Sequence, residues 1–206
     1  MHHRTKTRFS SILLTTALFL ISAPAFGAGL TLEQILELRQ VSHAVISADG
    51  ERIAYLQSVP RDLDREPDGP AWSELHVIDE HAVSRPYITG QVNIDALAWR
   101  PGTTQLAFLA KRGDDKTTSL YAIAVGGGEA VRLAALETDI GGYSFSPDGR
   151  RVALLATEAG REQDKLLAEK GFNQIVYEEA LLDRKIYLLD LEDEQASARE
   201  LELDGS

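Results

Sequence analysis

Apolar and polar residues follow one recurring pattern in three segments of the chain. Residues 46–56, 99–109 and 145–155 align without gaps, and in each a tight turn separates two short apolar runs. Ala48-Asp-Gly and Pro147-Asp-Gly are strong turn sequences, because Asp bonds to nearby backbone and Gly accepts positive φ; Pro101-Gly-Thr is a looser version. Each segment therefore predicts a β-hairpin. The second strand of each hairpin begins with the same spaced apolar set: Ile53, Ala54 and Leu56; Leu106, Ala107 and Leu109; Val152, Ala153 and Leu155.

Two further apolar runs follow every hairpin. Third strands are predicted near 75–79, 120–125 and 186–191, and fourth strands near 85–89, 130–133 and 199–203. Four antiparallel strands in a unit of about 45 residues are typical of a β-propeller blade. We therefore predict an all-β fold, a β-propeller with about three four-stranded blades over residues 41–90, 91–137 and 138–206. Propellers close with roughly 4–8 blades, so this ring is incomplete. The chain is expected to be the N-terminal part of a longer protein or, alternatively, to form a homo-oligomeric ring.

The first residues predict a secretory signal peptide over 1–27. Arg4, Lys6 and Arg8 precede an apolar stretch at 12–21, which is too short for a bilayer core that takes about 20 apolar residues. Small residues then allow cleavage after Ala25 or Gly27. A membrane anchor or a buried N-terminal helix is the alternative. We expect a periplasmic or secreted protein with no membrane span after cleavage, and a short helix over 28–40 ahead of the first blade.

Composition narrows the classes of partner and chemistry. The 206 residues carry a formal net charge of −11, which argues against nucleic acid because phosphate binding takes concentrated Lys and Arg. The absence of cysteine excludes disulfides, cysteine zinc ligands, a cysteine nucleophile and a lipoprotein anchor. No Ser has Gly two positions before and two positions after it, so a nucleophile elbow is missing. His43, His76 and His81 have a spacing that suggests no shared metal site. We expect no catalytic residue, metal or cofactor in this chain.

Blade three contains a long insertion between its second and third predicted strands. The insertion occupies about residues 158–180, includes a predicted helix over 161–170, and ends near the acidic pair Glu178 and Glu179. Long loops of this kind project from one face of the ring and are often functional. The acidic pair either binds a cationic group in a cavity or belongs to a solvated acidic loop. Residues 61–70 in blade one, in contrast, predict a plain exposed loop.

Several of these motifs resemble those of a known family. Thr31-Leu-Glu, followed by Ile46-Ser-Ala-Asp-Gly and Ile53-Ala-Tyr, resembles the start of exported prolyl oligopeptidase family serine peptidases. That family includes dipeptidyl peptidase IV-like and acylaminoacyl peptidase-like enzymes. Phe145-Ser-Pro-Asp-Gly resembles the blades of that family and also those of TolB. The peptidase resemblance implies a propeller that caps a C-terminal α/β-hydrolase domain carrying a Ser-Asp-His triad. None of the triad positions has a match in this chain.

The same resemblance implies a role for the acidic pair. Val176-Tyr-Glu-Glu179 is locally similar to the paired glutamates with which dipeptidyl peptidase IV-like enzymes bind the free amine of a substrate. Two functional hypotheses follow. In the first, the chain is the substrate-gating propeller segment of an exported serine peptidase, and a hydrolase domain outside this chain cleaves the peptide substrates. In the second, it is a non-enzymatic, TolB-like periplasmic binding propeller.

Overall fold

The structure is a computed structural model that describes residues 29, 31, 34–35, 37–62, 64–158, 183–193 and 195–202. This part of the chain contains strands and almost no helix. The strands are β1 (Val41–Ile46), β2 (Ile53–Val59), β3 (Trp72–Ile78), β4 (Ser84–Ile88), β5 (Ile94–Trp99), β6 (Gln105–Ala110), β7 (Ser119–Ala124), β8 (Val131–Ala134), β9 (Ile140–Phe145), β10 (Arg151–Thr157), β11 (Arg184–Asp190) and β12 (Arg199–Leu201).

These strands form three four-stranded antiparallel sheets, each with its strands in chain order. Blade 1 contains β1–β4, blade 2 contains β5–β8, and blade 3 contains β9–β12. The predicted all-β propeller fold with three four-stranded blades is confirmed. The strand ends differ slightly from those predicted. For example, β3 begins at Trp72 rather than near Leu75, because pairing with β2 continues as far as Val59.

Blade 2 lies between the other two blades, and both of its faces are buried. Every residue of β6 after Gln105 is buried, whereas β2 and β10 alternate between buried and more exposed positions. Side chains on opposite faces of β6 enter two different cores, as expected for a strand whose side chains alternate in direction. The core between blades 1 and 2 contains Leu56, Leu75, Leu106 and Phe108; the core between blades 2 and 3 contains Leu109, Leu120, Val152 and Leu154.

The hairpin turns of blades 1 and 3 are closed by the same side-chain hydrogen bonds. In blade 3 the Ser146 hydroxyl accepts from the backbone N–H of Arg151 at 3.0 Å and donates to the Asp148 carboxylate at 2.5 Å. Ser47 and Asp49 make the corresponding bonds in blade 1. Asp148 also accepts from the N–H of Arg150, and the hydroxyl is the larger cause of its lowered pKa. The Ser-x-Asp-Gly motif therefore specifies the turn through its own side chains.

Blade 2 has Arg100 at the position of these serines, and its turn is bound to the next blade instead. The Arg100 guanidinium donates from Nε to the carbonyl oxygen of Gly149 at 2.9 Å. The two turns approach closely here, since a Cβ on Gly149 would lie 2.2 Å from the carbonyl oxygen of Pro101. Gly149 also has a φ of 69°, so both its conformation and its surroundings require glycine.

Hydrogen bonds from aromatic side chains to backbone carbonyls also join neighbouring blades. Each links a residue of one blade to a strand or strand end of another, and none involves a charged side chain. The bonds are Tyr87 Oη to Val125 O at 2.8 Å, Tyr143 Oη to Ala107 O at 2.8 Å, and Trp99 Nε1 to Val45 O at 3.2 Å. Burial raises the pKa of Tyr143 well above its ordinary value, so this phenol stays protonated and keeps donating.

The blades belong to the second of two units into which the chain divides, Met1–Thr31 and Leu32–Ser206. The predicted signal peptide over 1–27 lies outside the described residues, as does the helix predicted over 161–170. Within the predicted 28–40 helix, Gln34 and Ile35 are helical, and the Leu38 N–H donates to the Ile35 carbonyl at 3.3 Å. In the described part of the chain, no helix is long and apolar enough to cross a membrane.

Candidate functional site

One end of the three sheets gathers the longest connections of the chain, and we call it the loop face. It is formed by loops 60–71 and 111–118, by connectors 89–93 and 135–139, and by the two ends of the insertion, Glu158 and Asp183. Hydrogen bonds hold neighbouring parts of this face together. The Thr118 N–H donates to Asp139 Oδ1 at 2.6 Å, and the Thr138 hydroxyl donates to the Thr157 carbonyl at 2.6 Å.

The insertion leaves and re-enters blade 3 at this face. The backbone N–H of Glu158 donates to the carbonyl of Asp183 at 2.8 Å, directly beyond the last β10–β11 pair, Thr157 and Arg184. Beside this closure Lys185 Nζ lies 3.4 Å from Glu200 Oε1, and the hydrogen bond and charge of Glu200 raise the pKa of Lys185. The predicted binding residues Glu178 and Glu179 lie outside the described residues, so their role stays a prediction.

Loop 60–71 is held by side-chain hydrogen bonds and a cation–π contact that its sequence did not predict. Arg61 donates from Nε to the Pro70 carbonyl at 2.7 Å, and its guanidinium carbon lies 3.7 Å from the centroid of the Trp72 ring. The Trp72 indole donates to Glu66 Oε1 at 3.1 Å, and the amide of Gln91 donates to the same oxygen at 2.8 Å. An additional bond from the backbone N–H of Asp62 is the largest cause of the lowered pKa of Glu66. The expectation of a plain exposed loop did not include this network.

A second cluster supports loop 111–118. Asp115, whose side chain is only 6% exposed, accepts from the Tyr121 hydroxyl at 2.5 Å and from Arg132 Nη1 at 2.7 Å. The Tyr121 bond is the largest cause of the lowered pKa of Asp115, and Arg132 adds a smaller effect. The same carboxylate also accepts from the backbone N–H of Arg112 at 3.3 Å. Asp115 therefore binds the loop to two strands of blade 2.

These two clusters were not recognised from the sequence. Each joins a charged residue of a loop to an aromatic residue in the strand that follows: Arg61 to Trp72, and Asp115 to Tyr121. This pairing is a signal that the sequence contains. By itself it does not reveal which loop side chain reaches the ring, because that depends on the path of the loop.

The first strands of blades 1 and 2 carry irregularities at equivalent positions. Register shifts occur between Ser42 and Val45 in β1 and between Asp95 and Ala98 in β5. His43 and Ala96 both have a φ of 51° there, a conformation that non-glycine residues adopt at a cost of about 1–3 kcal/mol. His43 Nε2 lies 3.6 Å from Asp95 Oδ1, and both side chains are more than half exposed. The pair forms a polar surface at these bulges.

The three histidines in the described part of the chain lie beside three different carboxylates. His43 lies beside Asp95, His76 beside Glu74 at 3.3 Å, and His81 beside Glu80 at 3.6 Å. His76 also stacks on Tyr55, with 5.4 Å between the ring centroids. Among the described residues no group of three or more potential metal ligands occurs.

Comparisons with known proteins give the fold a context. No profile of a known family and no curated protein matches the sequence. Among solved structures, the isopeptidase AtxE2 is similar over 84% of this chain and 32% of its own, with a TM-score of 0.61 and 14% identity. An acylaminoacyl peptidase from Pyrococcus horikoshii is similar over 83% of this chain and 26% of its own, with a TM-score of 0.58 and 11% identity.

The likeness extends to a protein that is described as TolB. That protein, from Agrobacterium tumefaciens, is similar over 74% of this chain and 46% of its own, with a TM-score of 0.50 and 17% identity. The chain thus spans about a quarter to a third of the length of the two peptidases, 26% and 32%. At these identities the matches establish the fold. The chain is a β-propeller of the fold that these peptidases and TolB share.

Proposed function

We propose that the chain is the N-terminal, substrate-gating propeller segment of an exported serine peptidase. In this proposal, peptide bonds are cleaved by acyl transfer at a Ser-His-Asp triad in a hydrolase domain outside the chain. The propeller blades contribute by limiting which peptides reach that domain. The observation that carries the proposal is the match of three consecutive blades to propellers of peptidases over more than four-fifths of the chain.

The unequal lengths of the loops support a role for the loop face in substrate binding. The insertion of blade 3 begins and ends there, next to the built loops of blades 1 and 2. Loops on a rigid scaffold are where binding residues concentrate. Within this proposal Glu178 and Glu179 bind the free amine of a peptide, because two carboxylates attract an ammonium group and accept its hydrogen bonds.

Export is part of the same proposal. The basic, apolar and small-residue pattern over 1–27 is that of a cleaved signal peptide. An acidic chain with a formal net charge of −11 and no cysteine is compatible with a periplasmic or secreted location. Mass spectrometry of the exported protein tests this directly: we expect a mature N-terminus after Ala25 or Gly27.

Reading the coding frame past Ser206 in the source organism tests the main proposal. We expect further blades, then a Gly-x-Ser-x-Gly segment, and an Asp and a His farther on. A frame that stops at Ser206, or after additional blades alone, excludes the peptidase proposal. This result does not depend on any property of Glu178 and Glu179.

The acidic pair is tested in the full-length enzyme. Glu178→Gln and Glu179→Gln are expected to raise the KM for peptides with a free N-terminus by about tenfold or more, the effect of losing one charge-assisted hydrogen bond. Peptides with an acetylated N-terminus should be unaffected. Glu80→Gln, an exposed change in the β3–β4 turn, is the matched control. An unchanged KM for free-amine peptides in both variants contradicts the assignment.

The second candidate is a non-enzymatic, TolB-like binding propeller. The A. tumefaciens TolB match covers 46% of that protein, a larger share than for either peptidase. A coding frame that contains only blades supports this candidate. In that case the partner is a protein of the cell envelope, and crosslinking in intact cells followed by mass spectrometry identifies it. Homo-oligomeric ring closure is then tested by the mass of the purified protein in solution.

A further inference from the structure

The dipeptide Asp-Gly occurs at three places that the structure describes: Asp49-Gly50, Asp68-Gly69 and Asp148-Gly149. Asp-Gly is prone to spontaneous isomerisation, because glycine has no side chain that hinders attack of its backbone nitrogen on the preceding carboxyl group. The first and third pairs lie in the hairpin turns of blades 1 and 3, whereas the second lies in loop 60–71. The same dipeptide is therefore held in two different environments.

In the two hairpin turns, both reacting groups are held by other hydrogen bonds. The Gly50 N–H donates to the Ser47 carbonyl at 2.9 Å, and the Gly149 N–H donates to the Ser146 carbonyl at 2.8 Å. Each aspartate accepts from the serine hydroxyl and from the backbone N–H two residues farther on. Attack of either glycine nitrogen on its neighbouring carboxyl carbon would break the bonds that define the turn.

At Asp68 the two reacting groups are bonded to each other. The Gly69 N–H donates to Oδ1 of Asp68 at 2.9 Å, which keeps the nitrogen beside the carboxyl group. In the part of the chain that the structure describes, the Asp68 carboxylate has no second hydrogen-bond or ion-pair partner. Both residues are exposed. Rotation of the Asp68 side chain therefore brings Cγ to the nitrogen without the loss of another bond of the carboxylate.

Arg61 holds the chain on both sides of this pair. Its Nη1 donates to the Pro67 carbonyl at 2.9 Å, and its Nε donates to the Pro70 carbonyl at 2.7 Å. The guanidinium also packs on Gly69, since a Cβ on this glycine would lie 2.8 Å from Arg61 Cζ. A positive charge at this place favours loss of the proton from the Gly69 nitrogen, the step that makes it a nucleophile.

We propose that Asp68 is a site of spontaneous isoaspartate formation in the folded protein, and that Asp49 and Asp148 are protected from it. The Gly69 nitrogen forms a bond to Cγ of the protonated Asp68 carboxyl group. The amide proton and the carboxyl hydroxyl leave as one water molecule, and a succinimide ring remains. Water then adds to one ring carbonyl and breaks its bond to nitrogen. Cleavage at the main-chain carbonyl gives isoaspartate, whereas cleavage at Cγ restores aspartate.

This modification goes beyond the proposed gating function and does not rest on it. Isoaspartate adds one methylene to the main chain between Pro67 and Pro70, so we expect Arg61 to lose at least one of its two carbonyl partners. Arg61 also stacks on Trp72, and loss of its partners loosens the rest of the loop. Amide hydrogens at residues 61–72 should therefore exchange faster in the isomerised protein than in the aspartate form.

Incubation of the intact 206-residue chain in mildly acidic buffer over several weeks tests the proposal. Mass spectrometry of a digest with electron-transfer fragmentation distinguishes isoaspartate from aspartate at each position. In the folded protein, isoaspartate at position 68 should form at least about tenfold faster than at Asp49 or Asp148. In urea the three rates should agree within about threefold, because the turns that protect two of the pairs are lost.

Two substitutions change one site each. Asp68→Glu keeps the charge but would need a larger, six-membered ring, so neither the modification nor the faster loop exchange should develop. Ser146→Ala removes the hydroxyl that donates to Asp148. This variant should speed isomerisation at Asp148 by about threefold or more and leave the rate at Asp68 unchanged.

The folded and unfolded wild-type chain decide the proposal even where a variant fails to fold. Equal rates at the three positions in the folded protein, no isoaspartate at position 68, or the same preference for Asp68 in urea would overturn it. Unchanged amide exchange in the isomerised protein would overturn its effect on the loop. Because the reaction takes no substrate, a coding frame without a hydrolase domain leaves these results unchanged.

Discussion

Blade 2 and the two blades that flank it use the same repeat in different surroundings. At the first apolar position of the second strand, Ile53 of blade 1 is 40% exposed, whereas Leu106 of blade 2 is fully buried. At the leucine two positions after the shared alanine, the more exposed residue belongs to blade 3 instead. Leu56 and Leu109 are buried there, whereas Leu155 is only half-buried. In blade 2 one sheet face packs on blade 1 and the other packs on blade 3.

This difference teaches that the repeat specifies a sheet with two apolar faces. A blade obtains most of its stability from its neighbours, as in other repeat architectures. The outward face of blade 1 therefore exposes Ile53, and that of blade 3 leaves Leu155 half-buried, whereas every residue of β6 after Gln105 is buried. The following substitutions measure how much equivalent residues of different blades contribute to the free energy of unfolding.

The largest difference is expected at the aromatic position of the second strand. Phe108→Ala, in blade 2, should lower the free energy of unfolding by about 3–5 kcal/mol, because the fully buried ring leaves a cavity. Tyr55→Ala, the equivalent change on the open face of blade 1, should cost about 1 kcal/mol. Urea unfolding followed by circular dichroism measures both. Equal losses would show that the outer face of blade 1 is as well covered as blade 2.

A leucine on the opposite face of the same strand provides a second comparison between blades. Leu109→Ala in blade 2 is expected to lower the free energy of unfolding by about 3 kcal/mol, since this side chain is 3% exposed. Leu155→Ala in blade 3 should cost about half as much, because its face is only half-buried. The same unfolding experiment compares them. A larger loss for Leu155→Ala would mean that blade 3 depends on this side chain for more than packing.

The buried carboxylate of blade 2 gives a pH-dependent test. The pKa of Asp115 is lowered in the fold, so its ionised form stabilises the native state. This stabilisation is fully present above the unfolded-state pKa of about 3.9 and is lost as the pH falls through the lower folded value. Asp115→Asn should therefore lower stability at pH 7 by about 1–3 kcal/mol, and the difference from wild type should shrink near pH 3.

The exposed Asp148 is the matched control for this carboxylate. Its pKa is also lowered, chiefly by the Ser146 hydroxyl, but it lies in a solvated turn. Asp148→Asn should have the smaller effect at pH 7, and it should disappear in the same direction as the pH falls. Unfolding curves at pH 7, 5 and 3 compare the two variants. A difference between Asp115→Asn and wild type that stays constant with pH would disprove the role of ionised Asp115.

The smallest effect is expected from the hydrogen bonds between blades. Tyr143→Phe removes the donor to the Ala107 carbonyl and should lower the free energy of unfolding by about 1 kcal/mol. Tyr55→Phe removes an exposed bond to Ser84 within blade 1 and should change stability by no more than about 0.5 kcal/mol. Amide exchange near Ala107 provides a local measurement. If Tyr143→Phe leaves that exchange unchanged, this bond does not hold the seam.

The repeat could be predicted from the sequence because its signals are local. Asp-Gly turns and alternating apolar residues predicted the hairpins, and the turn bonds of Ser146 and Asp148 are made within six residues. The bulges at His43 and Ala96 could not be predicted, because the sequence of a strand does not indicate where its pairing register shifts. The bond from Arg100 to Gly149 also escaped prediction, because it joins residues that are close only after two blades have packed.

The candidate site was less predictable for the same physical reason. The network of Arg61, Glu66 and Trp72 depends on the path of a loop, and the reach of Gln91 to Glu66 depends on the connector beside it. Glu178 and Glu179 were found by a local motif, and their placement remains a prediction.

The hydrogen bond between Glu158 and Asp183 separates the insertion of blade 3 from the hairpin that carries it. Its two ends meet across a single backbone hydrogen bond at the end of a regular hairpin, so β10 and β11 keep their pairing whatever the intervening segment contains. Lengthening a loop whose ends already meet costs little, because closure entropy grows only slowly with length. Mutation can therefore change the length and composition of this segment while the pairing of β10 and β11 is kept.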